Sequence, residues 1–370
     1  MSSKGDLNVS ANQRAQGLIE TMIELMELPG PTGQEEPILA WCRERWSKLG
    51  AVVTSSPIGN VLAHLPGGGP RLLLQGHADE IGYVVKSIDS RGFVWLTDAQ
   101  AGGSKSLYHR HPVGQPALIV GRGARIEGLF ATITGHILST RADDGPLTSI
   151  NDIFIDIGMT SREEAEAAGA HVGAGVIWNP PTRRVGTRVI GKAIDDRVAL
   201  ALMTHVLESI DRSEIKYDLS LCATVQEEIG LVGATSLGSY AKFDLAIAID
   251  TGPIGDYPGI DPREMPISLG AGPALVYKDS WTHYDRRVIS RLCAVGKVNN
   301  IPFQECIFPG FGSDGAALIR AGIPTALLGI ATRYTHSPFE MADTCDIEGA
   351  LDLLNAFLTT EPTPLELGPS

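Results

Sequence analysis

The chain has 370 residues, of which 43% are hydrophobic and 20% charged, a composition typical of a packed soluble protein rather than a disordered or fibrous one. Its formal net charge of −13 excludes a general binder of nucleic acid, because such proteins carry clustered basic surfaces. Domains cluster at roughly 100–200 residues, so the length favours two domains.

The N-terminal stretch is polar and lacks the apolar core of a signal peptide, and no run of about 18 apolar residues occurs in the sequence. The five cysteines are scattered, and no two of them have the spacing of a zinc knuckle. We therefore expect a cytoplasmic protein with reduced thiols and no membrane partner.

A helix is predicted over 12–28, where apolar residues recur at three- and four-residue spacing, and a second helix is predicted over 35–49. The segments "AVVTSS" and "NVLAHL" are then typical of a pair of strands. The run "RLLLQGHADEIG" is a continuous apolar strand that ends in polar residues. This pattern favours a central strand that delivers side chains at its C-terminal end.

The middle of the chain consists of short β-like runs separated by Gly, Pro and Asp. One clear helix is predicted there, at "TSREEAEAAG", where Ser161 and Glu164 form a capping-box signature. Beyond this segment, apolar strands alternate with helical patterns, which predicts an α/β sheet with helices on both faces. We predict an α/β domain formed by 1–80 and 179–358, interrupted by a β-rich domain at 81–178 and followed by a disordered tail at 359–370.

Five predicted strand ends are followed at once by acidic residues or histidine: "LLLQGHADE", "VIGKAIDD", "LCATVQEE", "LAIAID" and "RYTHS". Ligands of open α/β sheets bind outside the carboxyl ends of strands, so these groups are expected to converge. Taken singly, Asp195 and Asp196 could cap a helix, and Asp250 could begin a turn. Taken together, so many like charges at one sheet edge require a divalent cation to relieve their repulsion.

Histidine, aspartate and glutamate donors suit Zn²⁺ or a similar first-row ion, and their number predicts two ions that share a bridging carboxylate. His77 and Asp79 alternate along an extended strand, so Asp79 can accept the second ring N–H of His77. The adjacent Glu227 and Glu228 are predicted on the end of a strand, where alternation would point their side chains to opposite faces. One of the two is expected to bind metal while the other takes a proton from water.

The motifs "GHADEIG", "KAIDDR", "QEEIG", "AIDTG" and "RYTHS" occur in one order, with a large gap between the first two. In these motifs and their order, the chain resembles the dinuclear metallo-aminopeptidases of the tetrahedral (TET) or glutamyl-aminopeptidase type. The resemblance extends from about Met26 to Phe357. Some members of that family have been labelled endoglucanases. The resemblance implies an α/β/α zinc-peptidase domain with a mixed sheet and an inserted, barrel-like dimerisation domain, and homodimers that assemble to a dodecamer.

The resemblance also implies two divalent metal ions, with Zn²⁺ as the first choice and Co²⁺ or Mn²⁺ as alternatives. It implies peptide substrates with a free N-terminus and a cis peptide bond between Asp195 and Asp196. The residue roles that it implies are His77 and Asp250 as terminal ligands of one ion, Glu228 and His336 of the other, Asp195 as the bridge, Glu227 as general base and acid, and Asp79 as the residue that orients His77.

Two other functions stay open from the sequence. A metal-dependent deacylase or carboxypeptidase-like amidohydrolase on the same scaffold would need a basic residue near the metals, for which Arg333 is a candidate. A non-catalytic metal-binding protein is the second alternative. His109 and His111, in the predicted insertion, are candidates to reach a neighbouring subunit's site. Ser313 or Asp314 in "GFGSDG" is interpreted as a helix cap.

Overall fold

The computed structural model describes residues 4–99, 112–134, 137 and 150–364, with side chains from residue 15 onward. The helices are α1 (Lys4–Glu27), α2 (Glu36–Lys48), α3 (Arg162–Ala167), α4 (Ile194–Ser209), α5 (Val232–Tyr240), α6 (Arg286–Val298), α7 (Gly315–Arg320) and α8 (Thr344–Thr359). The strands are β1 (Val52–Ser55), β2 (Val61–Leu65), β3 (Arg71–His77), β4 (Tyr83–Ile88), β5 (Val94–Asp98), β6 (Pro116–Val120), β7 (Arg125–Ala131), β8 (Phe154–Asp156), β9 (Gly175–Trp178), β10 (Arg183–Val185), β11 (Arg188–Gly191), β12 (Asp218–Thr224), β13 (Leu245–Pro253), β14 (Ala274–Lys278), β15 (Gln304–Ile307), β16 (Thr325–Arg333) and β17 (Glu340–Asp343).

Eleven of these strands form one mixed sheet within the described residues, in the order β1-β2-β12-β3-β13-β16-β17-β11-β10 with β14 and β15 attached beside β16. The central strands β12, β3, β13 and β16 are parallel to one another, and antiparallel strands flank them. Because parallel strands end at the same edge, four consecutive strands of the sheet present their C-terminal ends together.

Helices cover both faces of this sheet. On β3, Leu72 and Leu74 pack into a core shared with α1, α2, α4, α6 and α8. Leu73, which points the other way, packs with Leu237 of α5 and Leu318 of α7. A strand buried on both faces favours apolar side chains on both, which explains the run of three leucines, Leu72–Leu74, in β3. The predicted α/β fold is confirmed.

The remaining six strands close into a separate barrel, in the order β4-β5-β8-β7-β6-β9. The barrel has its own core, in which the ring of Tyr83 lies edge-on 5.4 Å from Phe130 and 6.0 Å from Trp178. Beside it, α3 begins at Ser161, whose hydroxyl accepts the N–H of Glu164 as predicted. The chain enters the barrel directly after β3 and its polar strand end. The domain boundaries at 80/81 and 178/179 stay predictions.

The two predicted N-terminal helices and the β1–β2 pair are confirmed as α1, α2 and an antiparallel hairpin. In the predicted tail, Thr359 still belongs to α8, and the carbonyl oxygens of Glu361 and Thr363 accept hydrogen bonds from Arg291. Residues 365–370 lie outside the described residues. Among the described helices, none is long and apolar enough to cross a membrane.

Candidate metal centre

The parallel strands bring the first two predicted ligands side by side. His77 is the last residue of β3, and Asp250 lies within β13. In the parallel pairing of these two strands, Ala248 lies opposite Gln75. The same register, continued by two residues, places Asp250 beside His77. On the other side of β3, Thr224 of β12 pairs with His77. The predicted convergence at the carboxyl edge of the sheet is present.

His77 is held by contacts on both ring nitrogens. Its Nε2 lies 3.1 Å from Asp195 Oδ1, and its backbone N–H donates to Asp196 Oδ2 at 3.1 Å. Its Nδ1 lies 3.1 Å from the backbone carbonyl oxygen of Asp79 and 3.5 Å from that residue's carboxylate. All four residues are buried. The imidazole therefore has a fixed orientation before any ligand binds.

The two aspartates that follow "GKAI" stand at the beginning of α4. The peptide bond between Asp195 and Asp196 is cis, as predicted, and both residues have backbone angles outside the helical region. Both aspartates lie at a kink before the regular turns of the helix, and Asp196 Oδ2 accepts the His77 backbone N–H rather than an N–H of α4. The Asp195 carboxylate faces both histidines, with its Oδ2 3.4 Å from His336 Nε2.

In the part of the chain that the structure describes, three groups of donor atoms are close enough to hold a metal ion. One consists of Asp195, Glu228 and His336, another of His77, Asp196 and Asp250, and a third of His77, Glu227 and Glu228. The donor atoms within each group all lie within 4.8 Å of one another. Because Asp195 Oδ1 is 3.1 Å from His77 Nε2, the first two groups adjoin through this carboxylate. The structure thus brings together all five predicted ligands.

Glu227 and Glu228 do not lie on a strand, so the sequence-based placement of this pair was wrong. The strand β12 ends at Thr224, and Gln226 adopts φ +54°, which turns the chain before the glutamates. Both of their backbone N–H groups donate to the carboxylate of Asp79, at 2.9 Å from Glu227 and 3.2 Å from Glu228. The turn, rather than strand alternation, separates the two side chains.

Burial and mutual repulsion shift the pKa values of this cluster. Burial raises the pKa of Glu227, Asp250 and Asp196 well above the usual carboxyl range, and neighbouring carboxylates add to the shift. Burial opposes ionisation of Asp195 as well, but hydrogen bonds from His336 and His77 hold its pKa below the usual range. For His77, contacts with Asp195 and Asp79 outweigh burial and raise its pKa.

The side chains fit a divalent cation. Glu228 Oε1 is buried and accepts no hydrogen bond from the described residues, although His336 Nε2 lies 3.4 Å away. Buried carboxylates without enough compensating donors are stabilised by a bound metal ion, and oxygen and imidazole donors are the ligands that first-row ions prefer.

Three residues of the cluster were missed or misread from the sequence. Glu340 accepts the backbone N–H of Asp195 at 3.1 Å and that of His336 at 2.9 Å, which joins two predicted ligands. Asp196 was considered only as a cap. Ser313 or Asp314 was interpreted as a helix cap. Asp314 does occupy the N-cap position of α7, but its side chain makes no cap bond there and accepts hydrogen bonds from Gln75 and Thr224 instead.

Basic side chains beside the cluster are already paired with acids. Lys192 Nζ contacts both carboxylate oxygens of Glu80, at 2.9 and 3.1 Å, and Arg197 contacts Glu80 at 3.2 Å. Arg333 Nε donates to Asp256 at 2.7 Å. The histidines His109, His111 and His136 lie outside the described residues, and His283 is exposed.

Comparisons with known proteins agree with this geometry. Residues 59–353 match the family described as M42 glutamyl aminopeptidase. The chain is 28% identical over 355 residues to the lysyl aminopeptidase of Pyrococcus furiosus, an alignment that covers 95% of this chain and 99% of the relative. An aminopeptidase from Desulfurococcus kamchatkensis has a similar structure, with a TM-score of 0.87, 28% identity and coverage of 94% of this chain and 95% of its own.

A third relative is a Pyrococcus horikoshii TET1 peptidase, described as able to assemble into a tetrahedron or a large octahedral shell. It superposes with a TM-score of 0.81 at 24% identity and covers 92% of this chain and 99% of its own, which shows a shared fold. The family match spans well over half of the chain and includes every strand end that forms the cluster. The protein belongs to the M42 glutamyl aminopeptidase family of peptide hydrolases.

Proposed function

We propose that the protein is a metal-dependent aminopeptidase that removes N-terminal residues from peptides. The main support is the buried cluster in which Asp195 contacts His77 at 3.1 Å and His336 at 3.4 Å. Glu228 shares a donor group with Asp195 and His336, and Asp250 shares one with His77 and Asp196. His77 and Asp250 would hold one ion, Glu228 and His336 the other, and Asp195 both. Zn²⁺ is the first choice, with Co²⁺ or Mn²⁺ as alternatives.

Glu227 is the proposed general base and acid. Bound divalent ions supply a lowered pKa for water and polarisation of the scissile carbonyl. Glu227 lies beside the ligand Glu228, and its burial raises its pKa, which makes it a stronger base than an exposed carboxylate. It accepts the proton of the attacking water and returns this proton to the leaving amine. The Asp79 carboxylate holds the Glu227 backbone and lies against His77, so it fixes base and ligand together.

The charge around the cluster favours a substrate with a free amino group. Carboxylates outnumber the proposed ligands, since Asp196 and Glu340 are also buried there, and this surplus negative charge suits an ammonium group. A carboxypeptidase-like substrate would instead need an unpaired cation for its carboxylate. Lys192 and Arg333, two basic residues beside the cluster, are each bound to an acid.

The test is hydrolysis of a panel of aminoacyl anilides by chelated protein to which Zn²⁺, Co²⁺ or Mn²⁺ is added back. We expect activity to depend on added metal and to vanish when the same substrates are N-acetylated. Preferential hydrolysis of the acetylated substrates would establish the deacylase alternative. Failure of the purified protein to bind any of the three metals would contradict the proposed metal centre.

We also propose that the barrel, within a domain spanning 81–178, forms dimers that assemble to a dodecamer. Support comes from its closed sheet and separate core, and from the assembly described for the Pyrococcus horikoshii relative. Light scattering after size-exclusion chromatography should give a particle of twelve 39.4 kDa chains. A particle of one chain at micromolar concentration would contradict this proposal.

A further inference from the structure

We propose that Asp314 is a positioning residue that holds the ends of β3 and β12 in the register which the metal centre requires. The inference rests on the proposed function, because it concerns how the metal ligands are held. Asp314 is 1% exposed and lies at the first turn of α7, on the face of the sheet opposite α4. It is not one of the proposed ligands.

The local structure of Asp314 departs from what its position favours. An aspartate before the first turn of a helix normally accepts a backbone N–H from that turn, and loss of such a cap costs about 0.5–2 kcal/mol. Asp314 makes no side-chain cap bond within the described structure. A local preference that is given up in this way marks a residue whose side chain is used elsewhere.

The side chain turns to the sheet instead. Asp314 Oδ2 accepts hydrogen bonds from Gln75 Nε2 on β3 and from Thr224 Oγ1 on β12. Gln75 Nε2 also donates to Thr224 Oγ1 at 2.9 Å, so the three side chains form a closed, buried triangle. The triangle joins two neighbouring strands and α7 at a single carboxylate oxygen.

Gln75 and Thr224, the two residues that donate to Asp314, both lie close to proposed metal ligands. Gln75 precedes His77 by two residues on β3 and therefore shares its face, while Thr224 is paired directly with His77. Thr224 is also the last residue of β12 before the turn that carries Glu227 and Glu228. A shift of either strand end would displace a proposed ligand. Residues hydrogen-bonded directly to a metal ligand typically contribute about 10–100-fold to metal affinity, and the triangle acts one residue further from the ions, so we expect the lower end of that range.

The experiment measures Zn²⁺ and Co²⁺ affinity of chelated protein by titration calorimetry, together with urea unfolding. Asp314→Ala, which removes the shared acceptor oxygen, and Thr224→Val should each weaken metal binding about tenfold. Thr224→Ser, which keeps the hydroxyl, should bind metal like the wild type. The matched control is Asp346→Ala, because Asp346 is an equally buried acid on α8 that accepts the N–H groups of Gly270 and Gly272 at 2.7 Å.

Asp346→Ala should lower the free energy of unfolding while the affinity of the folded protein for metal stays unchanged. Wild-type affinity in Thr224→Val, or equal loss in Thr224→Val and Thr224→Ser, would overturn the inference even if Asp314→Ala fails to fold. The same holds if Asp346→Ala loses metal as strongly as Asp314→Ala. A wild-type protein that binds no metal would contradict the proposed function instead, so the two failures are distinguishable.

Discussion

The carboxylate of Asp79 accepts the backbone N–H of Glu227 at 2.9 Å while it lies 3.5 Å from the Nδ1 atom of His77. One buried acid thus contacts both a proposed ligand and the turn that carries the proposed base. Its other oxygen accepts the Glu228 N–H at 3.2 Å and the Thr32 hydroxyl at 3.0 Å. Both oxygens of Asp79 are therefore in use.

Asp79→Asn should lower kcat/KM about 10–100-fold without unfolding the protein. The amide that replaces the carboxylate keeps one acceptor oxygen, so one backbone N–H of the turn loses its partner and the Glu227 side chain is less well placed. Steady-state kinetics and circular dichroism measure the two effects. Asp261→Asn, at a carboxylate paired with exposed Arg263, serves as the control and should be silent. A kcat/KM for Asp79→Asn within about twofold of the wild type would contradict the expectation, which rests on the usual contribution of residues that contact metal ligands.

Glu227→Gln should reduce kcat by about 10²–10⁴-fold while metal content is unchanged, because the amide cannot accept the proton of water. Glu228→Gln provides the contrast, since it should lose bound metal as well as activity. Metal analysis of dialysed protein, beside single-turnover rates, separates the two roles. Near-full turnover by metal-loaded Glu227→Gln would rule out Glu227 as the base.

Gly76→Ala should destabilise the fold by about 1–3 kcal/mol and weaken metal binding, because β3 and α4 approach closely at this residue. A Cβ atom there would lie 2.4 Å from Ala199 Cβ and 2.8 Å from Asp196 Oδ2. Gly68→Ala is the matched control, since no described atom lies within 4 Å of the methyl carbon that this substitution would add. Urea unfolding with and without Zn²⁺ checks both. Equal free energies of unfolding for Gly76→Ala and Gly68→Ala would contradict this prediction, because they would show that β3 and α4 can move apart to accept the added methyl group.

The free energy of unfolding of metal-free protein should fall as the pH rises from about 5 to about 8. Burial raises the folded-state pKa of Glu227 and Asp250, so the folded protein binds more protons than the unfolded chain in this window. The raised pKa of His77 acts in the same direction. The lowered pKa of Asp195 affects only more acidic solutions, because the unfolded carboxyl is already ionised above about pH 5.

Bound Zn²⁺ should flatten this pH dependence, since a cation offsets the repulsion that raises the carboxyl pKa values. Urea unfolding at several pH values, in the presence of chelator or of saturating Zn²⁺, measures the difference. Chelated protein that is as stable at about pH 8 as at about pH 5 would show that the cluster carries no excess negative charge.

The convergence of the proposed ligands could be predicted from sequence because it depends on a regular property of parallel strands. Apolar runs followed by His77 and Asp250 mark strands whose C-terminal ends meet, however far apart they lie in the chain. The placement of Glu227 and Glu228 on a strand failed because a single positive φ at Gln226 ends the extended backbone early. That conformation is uncommon for a residue other than glycine, and hydrophobic periodicity carries no information about it.

The supporting residues were harder to find. Glu340 accepts the backbone N–H groups of two proposed ligands, Asp195 at a separation of 145 residues and His336 at a separation of four. The segment between His336 and Glu340 is a turn rather than a helix, so no periodic pattern in the sequence indicates either bond. For Asp314 the local sequence favours another role, because an aspartate directly before a short helix usually caps it with its side chain. Side-chain partners across the fold are set by tertiary packing, which local preferences do not encode.

The order of the chain also bears on how the centre forms. His77 and Asp195 touch across a sequence separation of 118 residues, and the whole barrel lies between them. Closing a loop of that length costs roughly 4 kcal/mol of chain entropy, and contacts of high sequence separation slow folding. An ion bound by both His77 and Asp195 would cross-link the two parts of the chain that the barrel separates in sequence. The rate of refolding should therefore depend on whether the barrel strands have paired before the ion is added.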